Sequence, residues 1–334
     1  MRIHITRTNN IGGAAFESHN MVAKLGHELG FIEMGIYHYP AHIDDDNELN
    51  HRMDGIISGI SAGDIVIVQY PTWNELRFDH SLVEHIKWYG AKVIIFVNDF
   101  QSLMWTQVSE ETYINSEIAL LNKADVLILP SAAMHKDMIS FGLSGSIPVI
   151  YQRIWDYKTE MDLENHKLER KMIFTGRVER FPFLNDYDYE TAIDLYGGEK
   201  LEHHNRCICE KGLKEQKELI FEIAKGGFGL VWSDEEYFER YYSKNQPYKL
   251  GVFLTAGIPV IIRKGAVHED FIKRNGLGFV VESLGEASDI VQNISEDEYK
   301  NICEQIRPIQ NLIKEGFYTK KVLIDAVVQL VEGI

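Results

Sequence analysis

Positive charge is what this 334-residue chain has least of: 34 lysines and arginines stand against 50 aspartates and glutamates, a formal charge of −16. Nucleic acid and anionic lipid both bind through a basic excess on one face, so neither is expected as a partner. Long apolar runs are missing as well. No stretch of about 18 apolar residues marks a membrane span, and the opening MRIHITRTNN reaches polar residues too early for the core of a signal peptide. A cytoplasmic protein with no membrane insertion is the expectation. The three cysteines, Cys207, Cys209 and Cys303, are too few and too unevenly placed for a disulfide framework, which fits a reducing compartment. The dinucleotide fingerprint is absent too. NNIGGAAF after the first strand lacks the G-x-G-x-x-G spacing, and the second strand ends in MGIYHYP without an acidic residue for a ribose, which argues against a dehydrogenase.

What is present is a repeated alternation of short β-branched runs and amphipathic stretches, the pattern of β-α-β units around parallel sheets. The length predicts two domains of similar size. In the first, RIHIT, MGIYHY, DIVIVQY, KVIIFVND, DVLILP and IPVIYQ read as six strands. Helices are predicted near 15–30, 46–60, 79–89, 110–123 and 132–141. The polar stretch DYKTEMDLENHKLERK, 156–171, reads as the connection. Then KMIFTG, AIDLYGG, RCIC, GFGLVW, IPVIIR and GFVV begin a second sheet, with helices near 213–225, 248–256 and 266–275. The last forty residues look helical, with breaks expected at Pro308 and Gly316. The cluster EHHNRCICE holds His203, His204, Cys207 and Cys209, metal-capable side chains at a spacing that matches no common zinc signature, so no metal is expected. Read as a strand, it turns Cys207 and Cys209 inward.

Ligands of open α/β sheets bind beyond the carboxyl ends of the strands, so four loops carry the chemistry. Thr8 to Gly13 is a glycine loop before a helix, with Asn10, Gly12 and Gly13 able to approach a ligand or simply to form a turn. In GRVERFPF, Gly176 to Phe183, Arg177 and Arg180 are either phosphate ligands or ordinary surface arginines. In QPYKLGVFLTAGIPVI, Pro247 precedes a short helix and Gly257 ends it. The free N–H groups expected on Lys249, Leu250 and Gly251, beside the Lys249 ammonium, suit a diphosphate, and Gly251 would admit it closely. In the first domain, YPTWN and NDF end two strands. Trp73 and Asn74 offer a stacking face and an amide for a sugar, or mere packing, and Asp99 is a catalytic base or a helix cap.

TGRVERFPF, GGFGLVW, YKLGVFLTAGIPVI and NGLGFVV, with upstream MGIYHY, DGIISGI, GDIVIVQYPTWN and NKADVLILPS, resemble the glucosyltransferase 3 family, which glycosylates serine-rich adhesins. The likeness runs through nearly the whole chain. It implies a GT-B fold: an α/β protein of two Rossmann-like domains with parallel sheets facing a cleft. The implied division is an acceptor-side domain over 1–153, a nucleotide-sugar domain over 154–309, and a C-terminal helix, 310–334, packing back on the first. It also implies a metal-independent homo-oligomer that moves a hexose from a UDP-sugar to N-acetylglucosamine O-linked to a serine-rich acceptor protein. Carried over by position, Arg180 and Lys249 hold the diphosphate, offsetting charge on the leaving UDP. Gly176, Tyr248, Leu250, Gly251, Val252, Phe253 and Leu254 shape the nucleotide pocket. Asn10, Gly12, Gly13, Trp73, Asn74 and Asn98 line the acceptor side, with Asp99 as the base if the reaction inverts. Three features depart from the pattern. Val252 stands where wider relatives place a ribose-binding glutamate, Asn98 stands where a histidine is expected, and the loops at Thr8–Gly13 and near Trp105 differ from the streptococcal form.

Other readings share the fold: a galactofuranosyl- or hexosyltransferase of surface polysaccharide, a nucleotide-sugar 2-epimerase, and a non-catalytic UDP-binding partner of another transferase.

Overall fold

A computed structural model describes residues 1–163, 167–198 and 200–333. The chain divides into two compact units, Met1–Arg153 with Tyr318–Ile334, and Ile154–Phe317.

The first unit is built on six parallel strands: β1 (Ile3–Asn9), β2 (Ile32–Tyr37), β3 (Ile65–Tyr70), β4 (Lys92–Val97), β5 (Val126–Leu129) and β6 (Val149–Tyr151). Their order is β2-β1-β3-β4-β5-β6. The register stacks apolar residues in rows, Ile5 beside Ile67, Ile67 beside Ile94 and Ile94 beside Val126. All of β3 is buried, which is why IVIVQY shows no alternation: helices cover both faces of a parallel sheet. The chain leaves β1 first toward β2 and later toward β3, so the switch point lies between β1 and β3. The loops after Asn9 and Tyr70 open there.

The second unit repeats the design with β7 (Lys167–Thr175), β8 (Ala192–Tyr196), β9 (Ile208–Glu210), β10 (Gly226–Val231), β11 (Val260–Arg263) and β12 (Gly278–Val281), all parallel, in the order β12-β11-β10-β7-β8-β9. Its switch point falls between β7 and β10. The helix Tyr248–Ala256 joins β10 to β11 and is almost wholly apolar, with Leu250 to Ala256 buried. Gly257 ends it at φ 77°, a left-handed conformation that costs a residue with a Cβ about 1 kcal/mol or more. Phe253 lies against β10 where Gly229 leaves room; a Cβ there would stand 2.2 Å from the ring.

Several sequence expectations are corrected. The polar connection is shorter than 156–171, because KLERK is the first half of β7. Its polarity is absorbed by ion pairs, Lys171 with Asp194 at 3.0 Å among them. Pro308 does not break its helix. Glu296–Lys314 runs through it, held by buried Tyr299, Ile306 and Ile313 and by Gln310 Nε2 donating to the Thr255 carbonyl at 2.8 Å. Tertiary packing here outweighs the hydrogen bond that proline removes. The C-terminal segment joins the first unit from Tyr318, not from residue 310. Its helix, Phe317–Glu332, carries Lys320 2.9 Å from Glu28. The helix Leu284–Asn293 has no counterpart among the expected elements. In β9 it is Ile208 that turns inward, leaving Cys209 exposed and Cys207 half-buried, the reverse of the expected alternation.

Candidate active site

In the second unit the site begins with Lys249, at the first turn of Tyr248–Ala256. Its side-chain nitrogen is buried with no hydrogen-bond partner. It lies 3.7 Å from the centre of the Phe174 ring and 4.1 Å from that of Phe181, with Tyr242 at 5.7 Å. The rings come from the end of β7, from the loop that follows it, and from the π-helical turn Phe238–Tyr242. Burial drives the Lys249 pKa well below the usual lysine range, and the Arg180 cation lowers it further. Aromatic faces attract a cation but replace little of its lost hydration. Arg180 is half-buried in the single turn Val178–Arg180. Gly176, at φ 157°, lets this loop fold tightly: a Cβ would meet the Phe181 ring at 2.9 Å.

The other residues expected to shape a nucleotide pocket fall into several different settings. Leu250 N–H is taken by the Pro247 carbonyl at 3.1 Å, so the expected row of three free N–H groups is shorter. Gly251 is small for another reason than a ligand: its Cβ would lie 2.1 Å from the Trp155 carbonyl oxygen. The side chains of Leu250, Val252, Phe253 and Leu254 are core, which leaves them only backbone with which to meet a nucleotide. Tyr248 OH accepts from Gln216 Nε2 at 2.9 Å. The segment entering this helix is braced by Trp155 Nε1 donating to the Gln246 carbonyl at 2.7 Å, and by the His268 ring against Gln246 Oε1. Burial takes the His268 pKa down to about 3, so the ring is neutral.

In the first unit the loops after β1, β3 and β4 carry the residues expected to line an acceptor. Asn10 is exposed at φ 64°, and Gly12 and Gly13 are open, with nothing near their Cβ positions. Trp73 has φ 66° and a buried indole N–H without a partner. Asn98 is buried, and neither of its amide atoms has a partner. Asn74 does not serve as expected. It is fully buried, its Oδ1 accepting from Tyr39 N at 2.8 Å and its Nδ2 donating to the Tyr37 carbonyl at 3.4 Å, so its amide ties the end of β2 to the loop after β3. Asp99 is half-buried in the turn before the short helix Gln101–Met104.

Residues that sequence reasoning passed over lie behind these loops. Glu117, on the helix Glu111–Leu121, accepts from Tyr70 OH at 2.6 Å, Gln101 N at 2.8 Å and Ser102 N at 2.9 Å, and from Ser102 Oγ. Asp79 Oδ1 accepts from Thr72 Oγ1 at 2.6 Å and Thr72 N at 3.2 Å. Burial raises both carboxyls, Asp79 to about 7. In sequence they look like two more acidic residues on amphipathic helices, and the phenylalanines around Lys249 look like core. Among the described residues no group of three or more His, Cys, Asp or Glu side chains forms a metal site, and no helix is long and apolar enough to cross a membrane.

Comparison with known proteins places the chain in a family. Residues 2–154 match the Glucosyltransferase 3-like N-terminal domain, and residues 172–326 match its C-terminal domain. The chain belongs to the Glucosyltransferase 3-like family. It is 37% identical over 336 residues to Glucosyltransferase 3 of Streptococcus gordonii, and 36% identical over 337 residues to that of Streptococcus parasanguinis, covering 99% of each chain. Among solved structures, Anabaena Alr3699/HepE in complex with UDP shares the fold across 100% of both chains, with a TM-score of 0.64 and 12% identity. The Glucosyltransferase 3-like chain is therefore a glycosyltransferase with the two Rossmann-like domains of the GT-B fold. The expected fold class and family are both met.

Proposed function

We propose that this glycosyltransferase moves glucose from UDP-glucose to N-acetylglucosamine O-linked to serine or threonine of a serine-rich adhesin, in the cytoplasm, as a homo-oligomer and without a metal. One observation carries the donor half of the reading: Lys249 keeps a buried side-chain nitrogen with no hydrogen-bond partner at the first turn of a nine-residue helix, beside Arg180. A diphosphate supplies what Lys249 lacks, anionic oxygens, and places them within reach of the neighbouring Arg180 cation and the helix N-terminus. As the glycosidic bond to UDP breaks, negative charge grows on the β-phosphate, and Lys249 and Arg180 stabilise it in the role a divalent ion serves elsewhere. Glucose as the sugar is supported by likeness, over 99% of each chain, to relatives named Glucosyltransferase 3. On the acceptor side, the unpartnered amide of Asn98 and the indole of Trp73 suit sugar hydroxyls and a sugar face.

The test is mass spectrometry of a serine-rich peptide bearing O-linked N-acetylglucosamine, incubated with the protein and each of a panel of UDP-sugars, with and without a chelator. A hexose increment from UDP-glucose, unchanged by the chelator, is expected. No increment from any donor refutes the acceptor, and loss of activity with the chelator refutes the metal-free reading.

A further inference from the structure

We infer that Glu117 is a positioning residue of the transfer reaction, holding the segment Asn98–Asp99 in its working geometry through a double clamp on Tyr70. The inference rests on the glycosyltransferase reading above. The first clamp is backbone: Asn98 N–H donates to the Tyr70 carbonyl at 2.7 Å, continuing the β3–β4 ladder one step past its end. The second is side chain: Tyr70 OH donates to Glu117 Oε1 at 2.6 Å, and the same oxygen accepts from Gln101 N at 2.8 Å. Glu117 Oε2 completes it by accepting from Ser102 N at 2.9 Å and from Ser102 Oγ. Asn98 and Gln101, on either side of Asp99 and Phe100, are thus both referred to one residue of β3.

Local stability is a poor explanation for this arrangement. A fully buried carboxylate costs several kcal/mol unless donors surround it. The helix it caps, Gln101–Met104, has only four residues and no side-chain cap from its own Phe100. A neighbouring Ser or Asp would cap so short a helix with far less desolvation. What the distant glutamate adds is a fixed relation between the ends of β3 and β4. From there Trp73 and Asn98 offer their unpartnered polar atoms. Tyr113 OH, donating to Gln101 Oε1 at 2.6 Å, stiffens the same turn from the helix that carries Glu117.

Glu117→Gln keeps the size but sets an N–H₂ donor against donors. Steady-state transfer to the glycopeptide, UDP-glucose hydrolysis in its absence, UDP affinity and Tm are to be measured together. The expected result is a fall of about 30-fold in kcat, with KM for UDP-glucose and UDP affinity within twofold of wild type, since misplacement near an ångström costs about 100-fold. Ser102→Ala and Tyr70→Phe each remove one donor; smaller falls of the same kind are expected, and they decide the matter if Glu117→Gln does not fold. Unchanged kcat in a folded variant, or a loss of kcat matched by weakened UDP binding, overturns the role. An inert glycopeptide with wild-type protein instead counts against the acceptor, and the hydrolysis rates then decide the role of Glu117.

Discussion

Each unit buries an ionisable group behind the carboxyl ends of its sheet, and the two are treated in opposite ways. In the second unit Lys249 has aromatic rings for neighbours and no hydrogen-bond partner. In the first unit Glu117 receives four donors, and neither of its oxygens is bare. A buried polar group with its partners in place stiffens what it touches, whereas one without them leaves the fold a cost of a few kcal/mol. The second condition is worth keeping where something outside the chain completes the group. On the two proposals above, the contrast separates a group that positions from a group that binds.

The sharpest way to break this contrast is to delete the unpartnered nitrogen. Lys249→Met preserves most of the side chain's volume and replaces a desolvated amine with a thioether, which also packs well on aromatic rings. Isothermal titration should show UDP binding weakened more than 100-fold, while calorimetry of the unliganded protein shows a Tm raised by several degrees, about 1–2 kcal/mol of stability. Gain of stability with loss of binding is the signature of a functional compromise. A destabilised variant, or one that keeps its UDP affinity, would show that the aromatic surroundings satisfy Lys249 and that the diphosphate sits elsewhere.

How much of this was legible depended on the range of the interactions. Runs such as IVIVQY and KVIIFV announce buried parallel strands because all their residues but Lys92 are buried, with no polar face toward water. Lys249 was legible as a cation opening a helix, since Pro247 and Gly257 mark that helix locally. Its surroundings were not, because Phe174 and Phe181 reach it from another strand and loop. The same holds for Gly251. Its lack of a side chain looks like an allowance for ligand until the Trp155 carbonyl, far away in sequence, is found to fill the space. KLERK hid a strand because its compensating charge, Asp194, lies on the neighbouring strand. Glu117 had no local signal at all; its donors come from β3 and from the turn after β4.

A smaller effect sharpens the comparison through protons. Where Lys249 is deprotonated in the free protein and an ammonium in the complex, UDP-glucose binding takes up a proton, and affinity declines as pH rises between the lowered free-state pKa and the restored one. UDP-glucose is the right probe because its diphosphate diester has no terminal phosphate to titrate. Calorimetric titration in two buffers of different ionisation enthalpy, repeated from pH 6 to 9, should register proton uptake within that range, and Lys249→Met should abolish whatever remains measurable. Proton release on binding, or no exchange at any pH from 6 to 9, contradicts a neutral amine in the free protein.

Asp79 lies between the two extremes, and the smallest expected effect belongs to it. Its Oδ1 is held by Thr72 N–H and O–H, while its Oδ2 is buried without a partner. Half-satisfied, it behaves as burial dictates, its pKa pushed up to about 7. Below the ordinary aspartate range both folded and unfolded chains carry the proton, and the group is neutral in its effect. As pH rises toward 7 the unfolded chain ionises first, so stability is lost across that window and levels off once the folded carboxyl has ionised too. An Asp79→Asn variant would keep an acceptor for Thr72 without the titration. Urea unfolding should then show the wild type losing about 2 kcal/mol between pH 5 and pH 8 that the variant retains, at the 1.36 kcal/mol per unit that sets the scale. Parallel stability curves would mean that Oδ2 finds a partner in solution, moving Asp79 to the side of Glu117, among the groups that position.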